Sequence, residues 1–308
     1  MLAMKWTLPL PLDFDYDYCL RYLARSPLEK LHRVEEGHVL KVIPLEARNV
    51  WLDLSVAENQ LVCETPEQEL SLDEKAQASD YVREWWDLDR DLSAFYALAQ
   101  TNDLLSRVVL PRRGLRLIGV PDLFEAICWS IIGQQINLLF AYQLKGRLVE
   151  AYGEQGLTGG KGMERKGGNL WLFPGPERIA GTTVEKLHQL QITRRKCEYL
   201  IGMAEVLARE ELSRQSLWEL GSVEAAAQKL ISYRGIGPWS AHYVLMRCLR
   251  YADAYPVGDA GLQNSVRRWL KMERKPSEAE LEALAKDWQG WKAYATFYLW
   301  QADSSSHN

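Results

Sequence analysis

The residues Leu230-Ile-Ser-Tyr-Arg-Gly-Ile-Gly-Pro-Trp239 set two glycines around one apolar residue and follow them with a proline and a tryptophan. Glycine permits the left-handed or crowded backbone that a tight helix-to-helix turn needs. Pro238 suits the first position of the next helix, where a missing N–H costs little. The free N–H groups at such a helix start can receive a phosphate. Beyond that helix, Tyr255-Pro-Val-Gly-Asp259 delivers a single carboxylate to the start of another. Asp is a good N-cap, and the helix N-terminus favours its ionised form. A phosphate-binding turn with an anionic side chain beside it could hold a nucleic acid backbone and act on a nucleotide. Each half also has a plain structural use, as a turn and as a cap.

The elements that must position these groups are helical. Along the helix after Pro238, Ala241, Val244, Leu245, Cys248 and Leu249 share one face. Trp239 and Tyr243, four apart, fall together on the opposite side, either as a second core contact or as a stacking surface for a flat ligand. The same periodicity predicts helices over residues 122–134, 138–152, 183–190, 194–209 and 223–232, with two more between Ser277 and Trp300. The first hundred residues differ. Val39–Ile43 and Val50–Leu54 read as strands, and residues 73–86 as a helix capped at Ser71 or Asp73. Gly156–Gly168, rich in glycine and lysine, reads as a surface loop, and Asp303–Asn308 as a frayed tail.

The chain has 308 residues, with 47% hydrophobic and 25% charged, an ordinary folded composition; its 12 Trp are many. The net charge of −4 conceals a division. Residues 1–102 carry 10 Lys+Arg against 19 Asp+Glu, residues 103–275 carry 25 against 17, and residues 276–308 carry 2 against 5. The positive section is the one that holds the turn, as a DNA-facing surface requires. The five cysteines are widely spaced, which argues against a metal or iron–sulfur site and for a reducing, cytoplasmic setting. No membrane span or targeting segment is expected, because the N-terminal apolar run is short and broken by prolines.

At this point the chain resembles the helix-hairpin-helix (HhH-GPD) superfamily of DNA base-excision glycosylases, and among its branches bacterial 3-methyladenine DNA glycosylase II. The likeness lies in Ile127-Cys-Trp-Ser-Ile-Ile-Gly-Gln-Gln-Ile136, Tyr233-Arg-Gly-Ile-Gly-Pro-Trp239, Val257-Gly-Asp259 and Trp288-Gln-Gly-Trp-Lys-Ala-Tyr-Ala-Thr-Phe-Tyr-Leu-Trp300. The resemblance implies a mainly α fold with an N-terminal α+β (TBP-like) domain over residues 1–102. A helical core of two subdomains around a cleft would follow. Residues 103–251 would carry the hairpin near 223–250. Residues 252–308, joined by part of 88–121, would carry Asp259.

The resemblance also implies roles. Asp259 falls at the catalytic carboxylate, and Trp239, Tyr243, Trp300 and Tyr22 at walls of a base pocket. The hairpin, through Gly235, Gly237 and Trp239, would hold the DNA backbone. The carbonyls of Ile231, Tyr233 and Ile236 would bind a monovalent cation, Na+ or K+. Gln135 stands where this branch commonly has a leucine wedge, so Ile136 would share the separation of the strands. Trp239 occupies the place of the lysine that forms a Schiff base in strand-nicking branches. The expected activity is therefore monofunctional removal of alkylated bases from duplex DNA by base flipping, leaving an abasic site. No cofactor is required for that chemistry. The protein would be a monomer working at the nucleoid. The sequence leaves two alternatives: a glycosylase for oxidised, deaminated or mismatched bases, and a silent DNA-binding module that uses the hairpin alone.

Overall fold

The computed structural model describes residues 4–66, 68–156 and 169–304. Near the N-terminus, five strands form an antiparallel sheet: β1 (Met4–Pro9), β2 (His32–Glu35), β3 (His38–Pro44), β4 (Asn49–Ala57) and β5 (Gln60–Thr65), in the order β1-β5-β4-β3-β2. Two-residue turns join β2 to β3 and β4 to β5, with Glu36, Gly37, Glu58 and Asn59 all at positive φ. Such turns match the right-handed twist of paired strands. Trp6 and Leu54 face Cys63 across the ladder. The side chains of one face pack against the helices Tyr16–Leu23 and Leu72–Trp86, the latter opened by a complete capping box between Ser71 and Glu74. The opposite face of β3 and β4 is covered too. Leu40, Val42 and Trp51 pack there with Leu170, next to a short strand pair Glu154–Gln155 and Trp171–Leu172. This explains why every residue from Val39 to Ile43, Lys41 included, is buried rather than every second one.

From Ser93 onward, that strand pair apart, the described architecture is helical. The Leu123–Ile132 helix lies at the centre and packs against the Leu138–Tyr152, Arg194–Ala208 and Pro238–Arg247 helices. The final helix, Lys292–Ser304, continues past the expected start of the frayed tail, and residues 305–308 lie outside the described residues. So does all of the expected loop except Gly156. The last helix buries Tyr294, Phe297 and Tyr298. Its phenols fix it to a distant part of the chain. The Tyr294 hydroxyl donates to the Asp87 carboxylate (2.5 Å), and that of Tyr298 to the Leu115 carbonyl (2.8 Å). The Ser265 hydroxyl reaches the Leu299 carbonyl from the Ala260–Trp269 helix (2.7 Å). All five cysteines are buried and free. Among the described residues, no helix is long and apolar enough to cross a membrane.

Candidate functional site

The hairpin forms between the Val223–Ile231 and Pro238–Arg247 helices. Gly235 has φ of +96°, and a Cβ there would stand 2.3 Å from the Tyr199 ring, so both conformation and space demand glycine. Gly237 caps the second helix without any side-chain hydrogen bond. The amides of that first turn therefore lack an internal side-chain acceptor, the condition under which a helix start accepts an anion. Of the three carbonyls expected to hold a cation, that of Tyr233 already accepts the Ile236 amide at 3.2 Å.

Asp259 caps the Ala260–Trp269 helix, its Oδ1 accepting from the Leu262 amide at 2.7 Å. Two indoles converge on the same carboxylate. Trp300 Nε1 donates to Oδ1 at 2.7 Å, and Trp239 Nε1 to Oδ2 at 2.9 Å. Three donors from three separate elements thus fix one half-buried carboxylate. Gly261 makes the Trp300 approach possible, since a Cβ there would stand 3.3 Å from Trp300 Cδ1 and 3.0 Å from Asp259 Oδ1. The loop that presents Asp259 is held from the hairpin side, where the Tyr255 amide donates to His242 Nδ1 at 3.1 Å.

Behind the carboxylate the aromatic residues form a continuous wall. Trp239 stacks on Tyr243 with centroids 5.6 Å apart at 30°, and Tyr243 meets Trp300 at 6.3 Å. Phe297 lies between Trp300 (6.5 Å) and Tyr22 (4.8 Å), so Tyr22, from the Tyr16–Leu23 helix, joins the wall. Arg247 backs it. The guanidinium sits 5.5 to 5.6 Å from the Tyr22, Tyr243 and Phe297 rings, with Nη1 on the Tyr243 hydroxyl at 3.3 Å and Nε on the Ile118 carbonyl at 3.1 Å. Burial holds the Tyr243 hydroxyl above the ordinary phenol range even against the pull of Arg247, so it stays neutral. A cavity of about 50 Å³, room for a few waters, opens beside Tyr22, Tyr243, Arg247, Tyr142 and Lys145. Burial pulls the Lys145 ammonium down, but Glu125 (2.9 Å) and Glu29 (3.2 Å) outweigh it and keep the ammonium charged.

Gln135 is exposed and adopts φ of +57° in the loop after the Leu123–Ile132 helix. Ile136, expected to share its role, is instead half-buried against the core; Leu138 and Leu139, which open the next helix, are more than half exposed. Two residues missed in the sequence anchor the loop. Gln134 Nε2 donates to the Gly235 carbonyl (2.9 Å) and to the Ser240 hydroxyl (3.1 Å), bridging the loop to the hairpin. Lys196 Nζ donates to the carbonyls of Ile132 and Gln134, both at 2.8 Å. Neither carries a sequence signal, because the partners, three main-chain carbonyls and the Ser240 hydroxyl, lie far along the chain. Arg247 did carry one: it lies four residues beyond Tyr243 and eight beyond Trp239, on the same helix face.

Known proteins resemble this chain over most of its length. Residues 128–290 match the family model of the HhH-GPD superfamily base excision DNA repair protein. A DNA-3-methyladenine glycosylase of Bacillus subtilis (strain 168) is 41% identical over 92% of this chain and 91% of its own length. DNA-3-methyladenine glycosylase 2 of Escherichia coli (strain K12) is 28% identical over 66% of this chain and 65% of its own. Among solved structures, a 3-methyladenine DNA-glycosylase from Archaeoglobus fulgidus superposes with a TM-score of 0.80 at 22% identity, covering 98% of this chain and 99% of that one.

Proposed function

The chain belongs to the HhH-GPD superfamily of base excision DNA repair proteins, and from that premise we infer that it is a monofunctional DNA glycosylase for alkylated bases of the 3-methyladenine type. The observation that carries this reading is the Asp259 carboxylate, framed by the indoles of Trp239 and Trp300 beside a phosphate-binding hairpin. A binding module gains nothing from an anion there, since it repels DNA.

An N-alkylated purine carries positive charge and leaves as a neutral base. Charge then develops on the deoxyribose as the glycosidic bond breaks. A fixed carboxylate stabilises that oxocarbenium character and orients the water that traps it. One carboxylate suffices because the leaving group needs no acid, unlike the paired acids of sugar hydrolases. The three donors on Asp259 keep its oxygens aimed without having to reorganise during the reaction. Base flipping costs a few kcal/mol, and stacking on an aromatic wall returns about 1–3 kcal/mol per contact. Hydrolysis ends at the abasic site. Trp239 has no amine, and the Lys145 ammonium beside the cavity is held protonated by two carboxylates, so neither can form a Schiff base.

The hairpin amides after Gly237 would take a DNA phosphate. A monovalent cation on the carbonyls of Ile231, Tyr233 and Ile236 would reinforce that contact, using the second lone pair of Tyr233. Gln135, with Leu138 and Leu139 beside it, would fill the gap left by the flipped nucleotide. We propose a cytoplasmic monomer acting on damaged duplex DNA. Incubation with alkylated duplex DNA should release free 3-methyladenine and leave an unnicked, alkali-labile strand. Absence of any released base, or strand cleavage without alkali, rejects this reading.

A further inference from the structure

Tyr22 is expected to stack on the flipped base, yet it is only 3% exposed. Phe297 and Arg247 lie against it from the wall. Arg25, three residues on in the chain, also covers it, with its guanidinium carbon 3.8 Å from the ring centroid. Arg25 is itself exposed. It also stands 5.7 Å from the Tyr142 ring and borders the cavity beside Tyr243. Its one side-chain hydrogen bond among the described residues runs from Nη1 to the Tyr22 carbonyl at 2.8 Å. It makes no ion pair among them. The nearby Glu29 is committed to Lys145 and to the Lys30 and Leu31 amides. A flat, delocalised cation therefore rests on an aromatic face inside the cleft, held by little else.

We propose that Arg25 is a specificity-determining residue: its guanidinium occupies the stacking place on Tyr22, and a flipped base must displace it. This rests on the glycosylase reading given above. The exchange discriminates by charge. A cationic alkylated purine replaces one cation–π contact with another, so the aromatic ring loses little. A neutral base expels the cation and returns a weaker contact. The displaced side chain has a short path to solvent, where water or a DNA phosphate receives it. The barrier to entry is thus lower for the bases that also leave most readily, and normal bases are refused before any chemistry begins.

The test compares single-turnover release of N7-methylguanine, which is cationic, with release of hypoxanthine, which is neutral, from otherwise identical duplexes. Wild type, Arg25→Ala and Arg25→Lys are measured, with thermal melting to verify folding. The expected result is a roughly tenfold rise in the hypoxanthine-to-methylguanine ratio for Arg25→Ala, the scale of one cation–π contact. Arg25→Lys, which keeps a cation, should restore most of the wild-type ratio. A ratio that is unchanged or lower in a folded Arg25→Ala protein overturns the proposal, and so does failure of lysine to restore it. A wild-type protein that releases no methylguanine rejects the glycosylase reading instead.

Discussion

Replacing Asp259 by asparagine separates charge from geometry more cleanly than any other change at this site. Asparagine caps a helix as well as aspartate, so its carbonyl oxygen can keep the Leu262 amide and the Trp300 indole. The new amide nitrogen then faces the Trp239 N–H across 2.9 Å, donor against donor. Leaving a partly buried donor without an acceptor costs about 1–3 kcal/mol, and the half-buried setting favours the lower end. Loss of the negative charge at the helix start adds roughly 0.3–1 kcal/mol. The protein should therefore fold, with a melting temperature lowered by a few degrees. Catalysis should suffer far more. Removing a preorganised electrostatic contact to a developing charge typically costs 10²–10³ in rate, and here the group carries a full charge. Single-turnover release of 3-methyladenine should fall by at least about 10³-fold. Binding to an abasic-site duplex should be equal or tighter, because one repulsive charge is gone. The double variant Asp259→Asn with Trp239→Phe removes the opposed donors and should recover most of the lost stability but none of the activity. Retention of base release within tenfold of wild type in Asp259→Asn would refute the catalytic assignment. Recovery of activity in the double variant would show that geometry, not charge, was the cause.

Further predictions follow from the neighbouring geometry. Gly235→Ala should destabilise by more than about 1 kcal/mol in a urea titration and weaken DNA binding, because the new methyl meets the Tyr199 ring in a left-handed backbone. Gly261→Ala should leave the fold intact but push Trp300 off Asp259, lowering the rate of base release while DNA affinity holds; equal loss of both would contradict it. Gln134→Ala should separate binding from flipping: affinity for duplex stays near wild type, while the fluorescence change of a 2-aminopurine beside the lesion falls. His32 is pulled down to about 4 by burial, against the opposing Glu29, and its Nε2 faces the Leu23 carbonyl at 3.0 Å. The folded form binds this proton less tightly than the unfolded chain, so the associated stability is complete above about 6.5 and is lost as pH falls toward 4. Melting curves from pH 7 to 4 should be flatter for His32→Asn than for wild type.

What could be read from the sequence was local. The cap at Asp259, the turn at Gly235–Gly237 and the pairing of Trp239 with Tyr243 each depend on a few consecutive residues, and all appear. The strands β3 and β4 were legible from their apolar runs. Strand β1 was not, because its pairing with β5 is made about fifty to sixty residues away along the chain and its own run is short and ends at Pro9. The convergence of Trp300 on Asp259 depends on the last helix docking through Tyr294 and Tyr298, which no local pattern encodes. The burial of Tyr22 under Arg25 was invisible for a related reason. An arginine one helical turn from a tyrosine has no fixed direction until the wall of the cleft supplies one. Ile136 was expected to share the wedge role because Gln135 stands at the family's leucine position, but it packs toward the core, while Gln135 at positive φ, Leu138 and Leu139 stay outside.

The five buried cysteines acquire a meaning from the proposed task. A protein that works where DNA is being alkylated shares its surroundings with the electrophiles that cause the damage, and thiolates are the softest targets a protein offers them. Here burial pushes the thiols of Cys19, Cys63 and Cys248 up to about 12 and that of Cys197 up to about 11, and raises Cys128 well above its ordinary value. At neutral pH they are protonated as well as enclosed, and the thiolate is the reactive form. The fold thus keeps its own nucleophiles out of reach of the methylating agents whose products it would clear, and the folded protein should stay active and thiol-intact through an exposure that marks the DNA beside it.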